Sequence, residues 1–288
     1  MKKIIVSILI LSNLIAYAKP IVVVSILPEK TFVEKIAKDM VDVTVMVQPG
    51  SSPHSYEPKA SQMIAISKAD IYFSIGVEFE HTWLDRFKSQ NTNLKIVNIS
   101  SNVDKLQMSE HHHGEHEHGD HHEEEVHHNE VDPHTWTSPK NVSIMADSIY
   151  KTLIDLDPKN KHFYKVNLDN FKKEIEETDK QIKYALKDIK EDSKFMVFHP
   201  SWGYFANEYN LIQIAVEVNG KSAKPKEMIM IIEEAKEENI KIIFTQPEFS
   251  DKSAKIIAKE ANVHVEKISP LDSNWSQNLI NMAQNIAK

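Results

Sequence analysis

From residue 159 to residue 189 the chain contains neither glycine nor proline, and Phe163, Tyr164, Leu168, Phe171, Ile175, Ile182, Leu186 and Ile189 follow helical spacing. Apolar residues at steps of three, four and seven lie on one stripe of an α-helix. The segment starting at Asp157-Pro158 is therefore predicted to be one helix of roughly 30 residues, about 45–50 Å long at 1.5 Å per residue. That is too long for one small lobe, so the chain has to divide into a part before the helix and a part after it.

Both parts alternate strand and helix. In the first, residues 21–27 (IVVVSIL) form a continuous β-branched run suited to a strand buried on both faces. A helix opens at Pro28, with Phe32, Val33, Ile36 and Ala37 on one face. Strands are expected at 41–47, 71–75 and 95–99, with helices at 59–68 and 79–87. Thr137-Ser138-Pro139 is a helix start with proline in the first turn. In the second part, strands are expected at 194–198, 211–218, 240–244 and 263–268, with helices at 201–209, 225–238, 251–261 and from about 274. Such alternation predicts parallel sheets. The expected fold class is α/β: two lobes, each with a four-stranded, mostly parallel sheet flanked by helices, joined by one long rigid linker helix. The boundaries are 19–157 for the first lobe, 158–190 for the linker and 191–288 for the second lobe.

The first 18 residues stand apart. Lys2 and Lys3 precede an apolar run at 4–15, and Ala16-Tyr17-Ala18 is a small-residue cleavage site. A signal peptide cleaved after Ala18 is expected, and with it a periplasmic location. The apolar run is too short for a permanent span. The chain has no cysteine, so any metal site must use nitrogen and oxygen. A core of this size needs no disulfide.

Residues 110–130 cannot form a packed core, because they are almost wholly polar. They hold His111, His112, His113, His116, His118, His121, His122, His127 and His128, with acids interleaved. Eight acids and no basic residue in this segment account for the whole net charge of −8. The remainder is near neutral and offers no basic patch for nucleic acid. Imidazole and carboxylate are donors for borderline divalent metals, so the segment is expected to be a flexible accessory metal loop.

Six histidines lie outside it. His81, His162 and His264 are read as structural or solvated. His54, His134 and His199 share a setting: each lies at a loop or strand end beside proline and near an aromatic residue. Three neutral imidazoles with a fourth oxygen donor make a common zinc shell. The separations of 80 and 65 residues match no local metal motif, so only the fold could join them. Sequence alone leaves two readings, one shared shell or three unrelated loop histidines.

The segments carrying these residues resemble the periplasmic solute-binding component of zinc and manganese ABC importers, the ZnuA-like cluster. PGSSPHSYEP is similar to that family's first ligand loop, DPHTWTSP to its second ligand motif and VFHPSWGYFANEY to its third. FTQPEFS and SPLDSNW resemble segments of its second lobe, and an acidic histidine-rich insertion before the second motif marks its zinc branch. The resemblance implies two α/β lobes with metal in the cleft between them, and His54, His134 and His199 as ligands. Histidine rather than carboxylate at position 199 favours zinc over manganese, in line with donor softness. Many relatives place an aspartate ligand where this chain has Ser269, so Asp272, three residues on, is the candidate fourth ligand.

The implied function is capture of Zn²⁺ and delivery to an ABC permease and its ATPase in the inner membrane, by a monomeric receptor that is not an enzyme. A manganese or other divalent-metal receptor, and a metal-buffering or adhesin protein, are the alternatives. A zinc hydrolase is disfavoured, since no His-Glu-x-x-His occurs.

Overall fold

In a computed structural model of the chain, residues 19–108, 131–217 and 223–288 are described. The expected signal peptide at 1–18 and the nine histidines of the accessory loop lie outside the described residues.

The first lobe runs β1 (Ile21–Val24), α1 (Leu27–Ala37), β2 (Asp42–Val45), α2 (Ala60–Lys68), β3 (Ile71–Ser74), α3 (Glu78–Gln90), β4 (Lys95–Asn98) and α4 (Pro139–Leu156). After α5 (Lys161–Ala185), the second runs β5 (Ser193–Val197), α6 (Gly203–Glu208), β6 (Leu211–Ala215), α7 (Pro225–Glu237), β7 (Ile242–Thr245), α8 (Lys252–Ala261), β8 (His264–Lys267) and α9 (Trp275–Ile286). The sheets are β2-β1-β3-β4 and β6-β5-β7-β8, and every strand pairing within them is parallel. Both lobes thus repeat one strand order, second-first-third-fourth. In such sheets the chain leaves the first strand toward one side and returns on the other. That leaves a crevice at the C-terminal ends of the first and third strands. Both crevices face the gap between the lobes.

The long helix is present but shorter than the periodicity suggests. Pro158–Asn160 is a 3₁₀ turn rather than helix, tied by Asn160 and Tyr164 side chains to Asp157 Oδ2 at 2.6 and 3.0 Å. At the other end the helix stops at Ala185, and Leu186 and Ile189 close successive turns that redirect the chain into β5. The apolar spacing continues through this turn because Leu186 is still buried, so the pattern carries no stop signal. At 25 residues, α5 is about 37 Å long. Strands β2, β6 and β7 are likewise shorter or shifted inward relative to their apolar runs. Met46 and Val47, beyond β2, still donate to Val24 and Ser25 carbonyls at 2.9 Å.

One apolar cluster joins the first lobe, α5, α9 and one face of the second sheet, while a second covers the other face of that sheet beneath α7 and α8. The junction is aromatic. Trp275 stands edge-on to Phe32 at 5.6 Å and donates from Nε1 to Trp136 O at 2.7 Å. Trp136 in turn donates from Nε1 to Pro270 O at 2.7 Å. Among the described residues no helix is long and apolar enough to cross a membrane.

Candidate metal centre

His54 lies in a 3₁₀ turn (Pro53–Ser55) after β2, where Ser52 Oγ accepts the His54 N–H at 3.3 Å. His134 sits between Asp-Pro and the turn leading into α4, and His199 follows the end of β5. Three segments 65 or more residues apart therefore meet in the cleft. One ligating atom from each histidine lies within 4.8 Å of the other two. Among the described residues this is the one group of three or more His, Asp or Glu side chains so placed.

Each imidazole is held from behind by a different carboxylate. His54 Nδ1 is 2.8 Å from Glu78 Oε1, His134 Nδ1 is 2.8 Å from Asp132 Oδ1, and His199 Nδ1 is 2.7 Å from Glu217 Oε1. A neutral imidazole has one N–H and one lone pair. With Nδ1–H donated to a carboxylate, the lone pair is fixed on Nε2. This second layer sets the tautomer and aims the ring. The His54 and His199 Nε2 atoms are 2.8 Å apart. Two lone pairs at that distance repel unless a cation or a shared proton sits between them. Zinc at 2.0–2.1 Å from each nitrogen in a tetrahedral shell would set them about 3.3 Å apart, a shift of about half an ångström.

The surroundings limit what can bind. The cavity is about 20 Å³ and is lined by the three histidines, Glu78, Glu248 and Phe249 among others. That is room for one water-sized species, not an organic solute. Phe249 stacks on His199 at 4.8 Å, and Trp136 lies 5.4 Å from His134. Burial holds the His199 imidazolium below its ordinary 6.5, with the Glu217 hydrogen bond opposing, so this ring is neutral near pH 7. Burial acts to raise Glu78, but its hydrogen bond and charge interaction with His54 outweigh that and lower it below the usual carboxylate value. Burial raises Glu248, opposed by hydrogen bonds from its own backbone and from Ser269.

The local scaffolding is specific. Glu78 opens α3 from a turn in which Gly76 adopts φ +101°, and buried Glu80 accepts from Ile75 N at 3.0 Å and Gly76 N at 2.8 Å. Asp132 Oδ1 also accepts the His134 N–H at 2.9 Å. Tyr204 donates its hydroxyl to Asp132 O at 3.0 Å, and a Cβ at Gly203 would lie 2.4 Å from Asp132 Oδ2. Gln246 brackets His199, accepting its N–H at 3.2 Å and donating to its carbonyl at 2.8 Å.

The family model for the zinc-uptake complex component A, periplasmic, matches residues 22–288. The chain belongs to this family. Zinc-binding protein AdcA of Streptococcus pyogenes is 30% identical over 269 residues, covering 90% of this chain and 52% of AdcA. This chain thus spans about half the length of AdcA. The high-affinity zinc uptake system protein ZnuA of Bacillus subtilis is 30% identical over 255 residues, covering 87% of this chain and 78% of ZnuA. A crystal structure of a ZnuA deletion mutant with zinc bound superposes with a TM-score of 0.83 at 38% identity, covering 94% of this chain and 97% of that one.

In this zinc-uptake family member the three motif histidines come together, whereas Asp272 does not join them. Leu271 points into the cavity, so the next side chain turns outward. Asp272 is exposed, and its Oδ1 accepts the Asn274 N–H at 2.7 Å ahead of α9. His81, His162 and His264 are all exposed. Trp202, Tyr204 and Phe205 are buried, as is Trp136. The three supporting carboxylates were not singled out from sequence. Asp132 had a local signal, since an aspartate two residues before a histidine can fold back on its backbone. Glu217 had one only through strand register. Val197 pairs with Ala215, so His199 and Glu217 stand side by side two residues beyond.

Proposed function

We propose that this chain is a periplasmic zinc receptor that binds one Zn²⁺ tightly in the cleft and presents it to an ABC permease and its ATPase. The observation that carries the reading is the convergence of three imidazoles, each with Nδ1 held by its own carboxylate. The chemistry of the donors supports zinc over manganese, because imidazole suits zinc and manganese prefers carboxylate-rich shells. The zinc names of the family, of AdcA and of ZnuA support the same cargo. His54, His134 and His199 are the ligands in this reading. Residues 19–157 and 191–288 are the lobes, 158–190 is the linker, and 1–18 is the signal peptide removed after Ala18. In this reading the chain is a carrier and not an enzyme, because a cavity of about 20 Å³ suits one ion rather than an organic substrate.

The histidine-rich segment at 110–130 gathers metal weakly and is not the tight site. Two variants test this by competition titration with a zinc chelator. Deleting residues 110–130 should leave one tight zinc per chain. His134→Ala should abolish that tight site while leaving weak multi-site binding. If the deletion removes nearly all binding and His134→Ala removes little, the protein is a buffer, not a receptor of this kind.

A further inference from the structure

We propose that Glu248 supplies the fourth metal ligand, closing the shell begun by the three histidines. The proposal rests on the zinc reading above and adds the donor that reading leaves open. Two carboxylates line the cavity with the histidines, Glu78 and Glu248. Each has one oxygen, Oε2, that is buried and has no hydrogen-bond partner among the described residues. A buried carboxylate oxygen without a donor is left with its desolvation uncompensated. A cation in the cavity would compensate it.

The two acids are equivalents by topology. Glu78 follows the third strand of the first sheet, and Glu248 follows the third strand of the second. Their remaining oxygens separate them. Glu78 Oε1 accepts from His54 Nδ1, the ring nitrogen opposite the one that converges on His199. A carboxylate bonded there sits behind the imidazole and supports a ligand. Glu248 Oε1 accepts instead from Ser269 Oγ at 2.8 Å, a hydroxyl with no part in the cluster. Ser269 is itself fixed, because its Oγ accepts the Leu271 N–H at 3.0 Å and its carbonyl accepts from Asn278 Nδ2 at 2.7 Å. The loop bearing Glu248 is pinned to His199 on both sides, by Gln246 on its backbone and Phe249 on its ring. Glu248 therefore lines the same cavity with Oε2 buried and without a partner, outside the three nitrogens that lie within 4.8 Å of one another, so in this proposal its carboxylate swings onto the cluster as metal enters. Three imidazoles and one carboxylate make a saturated tetrahedral N₃O shell, the type zinc takes with protein ligands alone.

The test uses the full chain loaded with one equivalent of Co²⁺ as a spectroscopic stand-in for zinc, with thiocyanate as a probe for an open coordination position. The unaltered protein should show a visible spectrum that thiocyanate does not change. Glu248→Ala should bind metal at least about tenfold more weakly, and its Co²⁺ spectrum should shift on adding thiocyanate. Glu78→Gln should weaken binding yet leave the spectrum insensitive to the anion, because it removes a support and not a ligand. Adding Ser269→Asp to Glu248→Ala should restore insensitivity, since the new carboxylate would start from the residue that holds Glu248. Circular dichroism and the conservative Glu248→Gln check that the fold survives, and Glu248→Gln should also weaken binding.

The proposal fails if thiocyanate already shifts the unaltered spectrum, if Glu248→Ala changes neither affinity nor spectrum, or if Glu78→Gln is the variant that opens the site. The zinc reading fails separately, if the unaltered chain holds no tight equivalent that depends on His134.

Discussion

The two lobes repeat one strand order but present their histidines differently. In the second lobe His199 follows directly from the central strand β5, and its side chain is 8% exposed, with its partner Glu217 at 6%. In the first lobe the equivalent strand, β1, ends at Val24 and is followed by Ser25 and Ile26, with no histidine there. Its cleft histidine is His54, carried on the loop after the edge strand β2, with its side chain 29% exposed and Glu78 at 38%. His134 enters from the segment before α4 and is as buried as His199. The cleft thus has one firm wall and one accessible wall. In the proposed receptor role this asymmetry would let the metal leave by giving up its most exposed ligand first.

Removing the supporting carboxylates probes this difference most strongly. Glu217→Ala leaves the buried His199 Nδ1–H without an acceptor. Zinc affinity should fall toward the upper end of the 10–100-fold range usual for such partners. The metal-free protein should also lose about 1–3 kcal/mol of stability. Glu78→Ala should sit near the lower end of that affinity range and leave stability almost unchanged, since water can replace an exposed acceptor. Chelator competition and thermal melts read both quantities. Equal effects from the two variants would mean that the walls are energetically alike.

Gly203→Ala tests the same firm wall through packing. The added methyl would meet Asp132 Oδ2 at 2.4 Å and Gln213 Nε2 at 3.2 Å. Asp132 must move, and with it the acceptor that aims His134. Overpacking of this kind costs about 1–3 kcal/mol. Zinc affinity should drop roughly tenfold as a displaced supporting group would predict. Unchanged affinity would show that the hold of Asp132 on His134 tolerates displacement.

A smaller effect comes from protons. His199 is held below 6.5 by burial, so the folded chain binds this proton more weakly than the unfolded chain does. The contribution to stability is fully present above the ordinary value and is lost as pH falls through it toward the folded value. Melting of the metal-free protein should therefore decline from about pH 6.5 downward, and His199→Gln should flatten that part of the profile. Zinc binding should weaken over the same interval, because protons compete for the ligating nitrogens. A zinc affinity independent of pH from about 5 to 7.5 would contradict imidazole ligation.

These residues also show how far the sequence could be read. The α/β alternation, the long helix and the three motif histidines were legible because each leaves a local mark: β-branched runs, a glycine- and proline-free stripe, and histidine beside proline. The carboxylates behind the histidines leave almost none. Glu217 matters only because β5 and β6 pair with an offset of 18 residues, and Glu78 only because the β3–α3 turn points it at a loop from another strand. Proximity in sequence to Ser269 points to Asp272 as the fourth donor. In space, Ser269 faces Glu248, 21 residues earlier. Ends of helices and strands were misplaced for a related reason. Burial continues past the end of the regular element, as at Leu186 and Val47, so apolar patterning overruns it.

The smallest expected effect is a change in shape that should not be seen. Large lobe closure on metal binding would require the two lobes to part when metal is absent. Their junction opposes this. Trp275 is 3% exposed, packs on Phe32 and α5, and is bonded to Trp136 O. Thr31 donates to Ser273 O at 2.7 Å, and Lys35 pairs with Glu174 on the long helix at 2.7 Å. Parting the lobes would expose buried aromatic side chains at about 1.5–3 kcal/mol each, with no new burial in return. The proposed receptor is then expected to admit metal by movement of the loop carrying His54, the most exposed of the three histidines. Small-angle scattering should give the same radius of gyration with and without one equivalent of zinc, while proteolysis at residues 48–58 should slow on zinc addition. Compaction in scattering, with no change in proteolysis, would move the hinge from that loop to the lobe junction and invert the assignment of firm and accessible walls.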